Sequence, residues 1–146
     1  MQRGIRVRRG GRIVLLGGLL FVIACSFGPV DDRYYRYYGY DSTGTAIVTG
    51  WLAVDLPEAG AVRGEWIFNQ LLESEMVGPQ IGTGSFVGTV DSSRIWINLN
   101  PDWVDNNVLL NGVIAGADIT GEWYYSSFAG PVNKGSFTAT GSKNRY

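Results

Sequence analysis

Apolar and polar residues alternate with a period of two along much of the chain after residue 40, in short runs separated by turn residues. In the run GEWIFN, Trp66 and Phe68 fall on one face, while Glu65 and Asn69 fall on the other. Successive side chains of a β-strand point to opposite faces, so this period predicts strands with one buried face. Because no window shows a helical period of comparable length, the pattern predicts an all-β domain.

The same succession of strands occurs twice along the chain. RGEW at residues 63–66 recurs as TGEW at 120–123, and each copy has a glycine-containing apolar run before it and a GP turn and a GSF run after it. One further strand precedes each copy, which gives four strands per copy. We therefore expect two sequence-related halves, 34–90 and 94–140. The segment between the GEW and GSF runs is longer in the first copy, which predicts an enlarged loop around LLESEMV.

A meander of eight short strands closes most simply as an up-and-down barrel, because closure leaves no strand edge unpaired. A two-sheet β-sandwich is the alternative. The domain is expected to occupy residues 34–146, with the tyrosine-rich segment Tyr34–Tyr40 as an aromatic first strand that covers the barrel seam. The side chains expected to face inward are Val48, Gly50, Leu52, Trp66, Phe68, Phe86, Gly88, Val90, Ile95, Ile97, Leu99, Leu110, Gly112, Ile114, Trp123, Tyr125, Phe137 and Ala139.

The first 24 residues differ from this domain in both charge and hydropathy. Residues 1–12 contain five arginines and no acidic residue, and residues 13–24 form an uncharged, mostly apolar run. A basic start before an apolar run of this length is typical of a secretory signal peptide. The run is too short to span a bilayer, which needs about 20 apolar residues. Residues 1–24 are therefore predicted to be a signal peptide that forms an N-terminal helix.

The apolar run ends in Val22-Ile23-Ala24-Cys25-Ser26, which resembles the lipobox of bacterial lipoproteins. The resemblance implies that Cys25 carries acyl chains such as palmitate and becomes the mature N-terminus, with residues 25–33 as a tether. Each buried acyl methylene adds about 0.8 kcal/mol of membrane affinity, so such an anchor would hold the protein at a membrane. In a Gram-negative host, Ser26 would imply the outer membrane. We therefore expect a lipid-anchored protein of the cell envelope.

Charge and composition disfavour several kinds of function. Loss of the signal peptide would leave seven basic and 13 acidic residues, a net charge of −6, whereas nucleic acid requires a basic surface. Histidine is absent and Cys25 is the only cysteine, so neither a Ser-His-Asp nor a Cys-His arrangement can form, and zinc lacks its commonest ligands. Glu65 and Glu122 are expected on the outer face as solvated carboxylates rather than as an acid–base pair. We expect a protein that is not an enzyme and uses no metal or cofactor.

The GEW runs resemble the GxW motif of lipocalins, which are eight-stranded ligand-binding barrels that include bacterial lipoproteins. The resemblance implies a carrier of a small apolar ligand inside the barrel, in the manner of a lipocalin or an avidin. The alternative is that the runs serve core packing. In that case the glycine lets strands approach closely and the tryptophan fills the core.

Four aromatic residues are expected to point outward or to lie in loops, namely Trp51, Trp96, Trp103 and Tyr124. Exposed aromatic rings can stack on sugars or form protein interfaces. We interpret these four as candidate partner-binding residues of a non-enzymatic binding or interaction module displayed on the envelope. Its partner would be an envelope protein or a glycan. The alternative is the small-ligand carrier, and the sequence leaves the oligomeric state open.

Overall fold

The computed structural model describes residues 33–74, 77–78 and 80–142. These residues form a closed antiparallel barrel in which each strand pairs with the next and β8 pairs with β1. The up-and-down barrel is thus confirmed, the two-sheet sandwich is not adopted, and the described part contains no α-helix. The expected signal peptide, Cys25 and the tether up to residue 32 lie outside the described residues. The strands are β1 (Arg33–Tyr40), β2 (Ala46–Asp55), β3 (Ala59–Gln70), β4 (Gly82–Asp91), β5 (Arg94–Asn98), β6 (Asn107–Ala115), β7 (Asp118–Ser127) and β8 (Gly130–Ser142).

The alternating strand directions give the barrel two different ends. One end, which we call the base, carries Arg33, Ser142 and the short turns after β2, β4 and β6. The described chain therefore enters and leaves the barrel at the base. The other end, which we call the loop end, carries the connections after β1, β3, β5 and β7, which are residues 41–45, 71–81, 99–106 and 128–129.

Aromatic rings fill the interior of the barrel. The fully buried Tyr37 ring stacks on Phe68 with ring centroids 4.1 Å apart, and it lies 5.7 Å from the ring of Phe137. Trp66 extends this stack, since its ring centroid lies 5.3 Å from that of Phe68. Aromatic side chains bury about 150–250 Å² each, so this group supplies much of the core. The middle of the barrel is therefore occupied by packed side chains.

The two GEW tryptophans make matching hydrogen bonds at the loop end. The Trp66 indole N–H donates to the carbonyl oxygen of Leu99, directly after β5, at 2.8 Å. The Trp123 indole N–H donates to the carbonyl oxygen of Tyr40, the last residue of β1, at 2.7 Å. Each tryptophan thus binds the end of the first strand of the other half, which satisfies an indole N–H that burial would otherwise leave unpaired.

The faces predicted from alternation agree with the observed burial. All of the residues expected inward are buried except Ile114 and Tyr125, which are partly buried and pack against the core from near the strand ends. Glu65 and Glu122 are exposed on the outer wall, as expected. Tyr37 lies at the centre of the ring stack, although it is not among the residues expected inward.

The connection from β3 to β4 places two buried residues at the loop end of the barrel. The enlarged loop predicted here is confirmed, because β3 ends at Gln70 and β4 begins at Gly82. Val77 and Gln80 are buried although they lie in this loop. The Tyr37 hydroxyl donates to Gln80 Oε1 at 3.3 Å, and Gln80 Nε2 donates to the Val77 carbonyl oxygen at 3.1 Å. Burial raises the pKa of Tyr37 far above its ordinary value, because the charged phenolate would lose its water.

Candidate binding surfaces

The loop end exposes a large amount of apolar side chain. Trp103, Val104 and Phe128 are 64%, 87% and 89% exposed, respectively. An aromatic side chain carries about 150–250 Å², so Trp103, Val104 and Phe128 expose on the order of 400 Å² between them. Single exposed apolar residues are ordinary, whereas apolar patches of about 300–600 Å² on a monomer are often functional. We call the whole group the apolar rim, and it consists of Leu71, Leu72, Ile81, Trp103, Val104, Phe128 and Val132.

Tyr125 contacts two of the connections that carry rim residues and lies just before the third in the sequence. Its ring lies against Gly78 of the β3–β4 connection, where an added Cβ would be 3.0 Å from the Tyr125 Cδ1 atom. Its hydroxyl donates to Oδ1 of Asn106, in the β5–β6 connection, at 3.0 Å. Tyr125 itself lies near the end of β7, just before the turn that carries Phe128. Tyr125 therefore links the β3–β4 and β5–β6 connections close to the turn that carries Phe128.

Asparagine side chains fix the shape of the connection between β5 and β6. Asn98 Nδ2 donates to Asn107 Oδ1 at 2.9 Å, and Asn100 Nδ2 donates to the Asn106 carbonyl oxygen at 2.9 Å. The Trp103 backbone N–H also donates to the Asn100 carbonyl oxygen at 3.2 Å. These bonds are made within the loop and fix the backbone at Trp103, whose side chain is exposed.

The fourth connection at the loop end is polar and is organised by Asp41. Its Oδ1 atom accepts hydrogen bonds from the Thr43 hydroxyl at 2.7 Å and from the backbone N–H of Thr45 at 2.9 Å. These bonds favour the charged carboxylate and therefore hold the pKa of Asp41 below its usual value. The margin of the apolar rim is consequently acidic. Among the described residues, the other charged ones at or near this end are Glu73, Asp102, Asp105 and Lys134, all exposed.

Trp51 lies on the outer wall of β2, away from the apolar rim. The Arg36 guanidinium lies 5.1 Å from the centroid of the Trp51 ring and 5.6 Å from that of Tyr38. Both distances fall within the range of a cation–π interaction. Trp51 therefore already has an intramolecular partner on its outer side, which makes it a weaker candidate for binding.

A groove of about 530 Å³ lies on the outer wall formed by β4 to β7, and we call it the wall groove. Trp96 lies on one side of it and Glu122 on the other, with Asn111 between them in the strand register. Sites that bind small molecules have volumes of about 300–1,000 Å³. The wall groove is therefore large enough for a small ligand. The side chains that line it include Thr89, Arg94, Trp96, Asn111, Thr120 and Glu122.

Tyr124 lies on the same wall and is bonded to Glu122, one of the residues that line the wall groove. Its hydroxyl donates a hydrogen bond to the Glu122 carboxylate, and this bond raises the pKa of Tyr124. Glu65, the other GEW glutamate, lies on β3, which is half the circumference of the barrel away from β7. The two glutamates therefore do not face each other across one cleft.

The four candidate partner-binding residues lie on three different surfaces. Trp103 belongs to the apolar rim, Trp96 and Tyr124 belong to the wall of β5 to β7, and Trp51 lies on the wall of β2. Phe128 is the most exposed large apolar residue of the described chain, yet its place in a turn hid it from the period-two pattern. An apolar residue between two strands, with no inward position to fill, is the signal that would find it.

Neither clusters of acidic residues nor comparisons with other proteins identify a further site. Within the residues described above, no three Asp, Glu, His or Cys side chains lie close enough to hold a metal ion. The same part of the chain contains no helical segment with the length and apolarity that crossing a bilayer requires. No protein-family model, curated protein or solved structure matches this chain.

Proposed function

We propose that this chain is a lipid-anchored protein of the bacterial cell envelope that acts as a non-enzymatic interaction module and binds a protein partner through the apolar rim. The observation that carries the proposal is the exposure of Trp103, Val104 and Phe128 together at one end of the barrel. The centres of protein interfaces are depleted of charge and enriched in aromatic residues, which matches this end.

The anchor is supported by the sequence, and its orientation is supported by the strand directions. The basic start, the apolar run and Cys25 form a lipoprotein signal, and Arg33 enters the barrel at the base. The eight tether residues 25–32 reach at most about 29 Å. The 12 residues of β3 rise about 30 Å along the barrel axis at the usual strand tilt. The anchor would therefore attach on the base side of the barrel, and the apolar rim lies at the opposite end.

The charge around the apolar rim indicates the chemistry of the partner. Asp41, Glu73 and Asp102 lie on three of the loop-end connections. An acidic margin favours a protein with an apolar centre and a basic margin, because complementary potentials speed association and exclude wrong partners. The same margin disfavours insertion into anionic lipid, which attracts basic residues.

The aromatic interior favours this function over that of a small-ligand carrier. A carrier needs free volume inside the barrel. Here the stacked rings of Tyr37, Phe68 and Phe137 occupy the middle, and Gln80 lies over Tyr37 at the loop end. Binding at the outer surface requires no rearrangement of these groups.

Photo-crosslinking in bacterial cells that produce the full chain tests the partner surface. We expect Trp103→p-benzoylphenylalanine to give a discrete crosslinked adduct with one protein, and Trp51→p-benzoylphenylalanine to give none. The double variant V104S/F128S should remove the adduct at position 103, because it removes the apolar area beside the probe. Val87→Ser, a change of an exposed apolar residue on the wall, should leave the adduct intact. The same adduct from both probe positions, or one that survives V104S/F128S, would contradict the proposal.

Metabolic labelling with radioactive palmitate tests the anchor separately. The wild-type protein should take up label, and Cys25→Ala should take up none, because the site of acylation is lost. Cys25→Ser serves as a second, closely matched variant. Equal labelling of the wild type and both variants would refute lipid anchoring at this cysteine without bearing on the apolar rim.

A further inference from the structure

Beyond the partner surface at the loop end, we infer that the wall groove binds a neutral oligosaccharide, with Trp96 against one face of a sugar ring and Asn111 and Glu122 bonded to its hydroxyl groups. Trp96 is 37% exposed, so its ring is accessible, while its inner part is supported by the sheet. The wall groove lies on the side of the barrel, and this second site does not depend on the protein partner proposed for the apolar rim.

A pair of facing glycines shapes the wall groove. Gly112 of β6 and Gly121 of β7 are partners in the strand register. A Cβ on Gly121 would lie 2.0 Å from the carbonyl oxygen of Asn111 and 2.6 Å from the Gly112 Cα, so no side chain fits there. Glycines at such positions let a barrel wall bend sharply. Both glycines line the groove, so backbone forms part of its floor between the outward side chains of the adjoining strands.

Three strands place an aromatic ring, an amide and a carboxylate in one row across the wall groove. Trp96 is the register partner of Asn111, and Asn111 is the register partner of Glu122. Neighbouring strands lie about 4.8 Å apart, so the row is about 10 Å long. A sugar ring offers a face of C–H groups, which suits the electron-rich face of an aromatic ring, and hydroxyls that both donate and accept. The row supplies a partner for each of these features.

The charges of the wall groove select a neutral ligand. Arg94 faces Asp91 in the strand register, and Glu122 adds a second carboxylate on the other side. With one guanidinium against two carboxylates, the groove would repel phosphate groups and nucleic acid. A wholly apolar ligand would remove water from Asn111 and Glu122 without replacing their hydrogen bonds. A ligand rich in hydroxyl groups meets neither penalty.

Tyr124 acts as a positioning residue for this site. Its hydroxyl donates to the Glu122 carboxylate, which fixes the direction of that carboxylate before any ligand arrives. A pre-positioned acceptor loses less conformational freedom on binding than a mobile glutamate does. The hydrogen bond therefore contributes to affinity only through Glu122.

Isothermal titration calorimetry on the full chain in detergent micelles tests the inference. The probes are three neutral oligosaccharides: cellohexaose, maltohexaose and the hexamer of N-acetylglucosamine. We expect at least one to bind with a Kd below about 1 mM. Trp96→Ala should weaken that binding at least tenfold, whereas Trp51→Ala, which removes an outward tryptophan from another wall, should leave it unchanged. Far-UV circular dichroism checks the fold, and Asn111→Ala is the second variant of the row should Trp96→Ala fail to fold.

A double-mutant cycle tests the role of Tyr124. Tyr124→Phe should weaken binding severalfold in the wild-type background and have no further effect in the Glu122→Gln background, because the hydroxyl acts through the carboxylate. The inference is overturned if none of the three probes binds below about 1 mM, if Trp96→Ala binds as tightly as wild type, or if Trp51→Ala loses as much. None of these results would alter the crosslink expected at Trp103, so the two proposals fail separately.

Discussion

The β3–β4 and β7–β8 hairpins share their inward-facing residues but end in different connections. In both hairpins a tryptophan lies over a glycine of the neighbouring strand, as Trp66 lies over Gly84 and Trp123 over Gly135. The first hairpin continues into residues 71–81, which bury Gln80 over the barrel interior. The second hairpin instead makes a two-residue turn at residues 128–129, which exposes Phe128.

This difference shows that the inward residues of the strands build the barrel, whereas the connections at the loop end supply residues that are free to bind a partner. The inward residues of both hairpins serve the same packing, so the connections can differ without changing the wall. One connection places the buried Gln80 against Tyr37, and the other adds an aromatic ring to the apolar rim. The interior is consequently filled, and the binding surfaces lie outside it.

The largest expected effect comes from removing either GEW tryptophan. Trp66→Ala and Trp123→Ala should each lower the free energy of unfolding by about 3–5 kcal/mol, because each removes a buried ring and one hydrogen bond across the barrel. Urea unfolding measures both values. Trp96→Ala, on the outer wall, is the matched control and should cost less than about 1 kcal/mol. If only one of these two variants loses that much free energy of unfolding, the two tryptophans do not play equivalent parts in the core.

A smaller effect is expected from filling the glycine positions beneath these rings. A Cβ on Gly84 would lie 2.8 Å from the Trp66 Nε1 atom. A Cβ on Gly135 would lie 2.7 Å from that of Trp123 and 1.9 Å from the Tyr40 carbonyl oxygen. Gly84→Ala should therefore cost about 1–3 kcal/mol through overpacking, and Gly135→Ala should cost at least as much, because a backbone atom is also in the way.

Alanine at the outward neighbours of these glycines provides the control. Ser85 and Ser136 are exposed residues of the same hairpins, so Ser85→Ala and Ser136→Ala should change stability by less than about 0.5 kcal/mol. An equal loss of the free energy of unfolding in the serine and glycine variants would show that the Trp66 and Trp123 rings do not pack against the glycines.

Gln80→Ala should reveal the role of the connection that only the first hairpin has. The change removes the acceptor of the Tyr37 hydroxyl and should cost about 1–2 kcal/mol, because a buried donor is left unpaired. Hydrogen exchange should quicken around Val77 more than at the opposite end of the barrel. Asn69→Ala, a change of an exposed residue of the same hairpin, should have little effect on either quantity. Exchange that is unchanged at Val77 would mean that Gln80 does not hold the loop over the interior.

Alkaline pH should weaken the barrel through the same buried tyrosine. Because burial raises the pKa of Tyr37 in the folded state, the fold favours the neutral phenol. This contribution is complete below the ordinary tyrosine pKa of about 10 and falls by up to about 1.4 kcal/mol per pH unit above it. Tyr37→Phe should make stability fall less steeply above pH 10, while its offset from wild type stays constant below pH 9. An equally steep fall in the variant would exclude Tyr37 as the cause.

The sequence predicts the barrel well because its signal is local. Period-two alternation needs only neighbouring residues, and it places Trp66, Phe86 and Trp123 inward correctly. The first strand is harder, because tyrosines occupy both of its faces and alternation does not distinguish Tyr37 from Tyr38. Gln80 escapes prediction altogether, since its burial depends on a loop that folds back over residues distant in the sequence.

The candidate surfaces are less predictable because they depend on the order of strands around the barrel. Exposed aromatics can be identified from the sequence, but only the closed barrel separates Trp51 from Trp96 and Trp103. The wall groove depends on the register pairing of Gly112 with Gly121, which no local pattern specifies. Phe128 lies close to the other connections of the loop end because Tyr125, three residues before it, contacts both Gly78 and Asn106.

The central claim is that each half of the barrel is bonded to the other through a buried tryptophan. Hydrogen exchange at the Trp66 and Trp123 indole N–H groups, followed by NMR on the full chain, tests this claim most directly. Both groups bond to carbonyls of the opposite half, so we expect both to exchange as slowly as the most protected backbone amides of the core and at similar rates. Trp103, which is exposed, should exchange rapidly. Rapid exchange at Trp66 or Trp123 would show that the interior opens to water without global unfolding and would contradict the account.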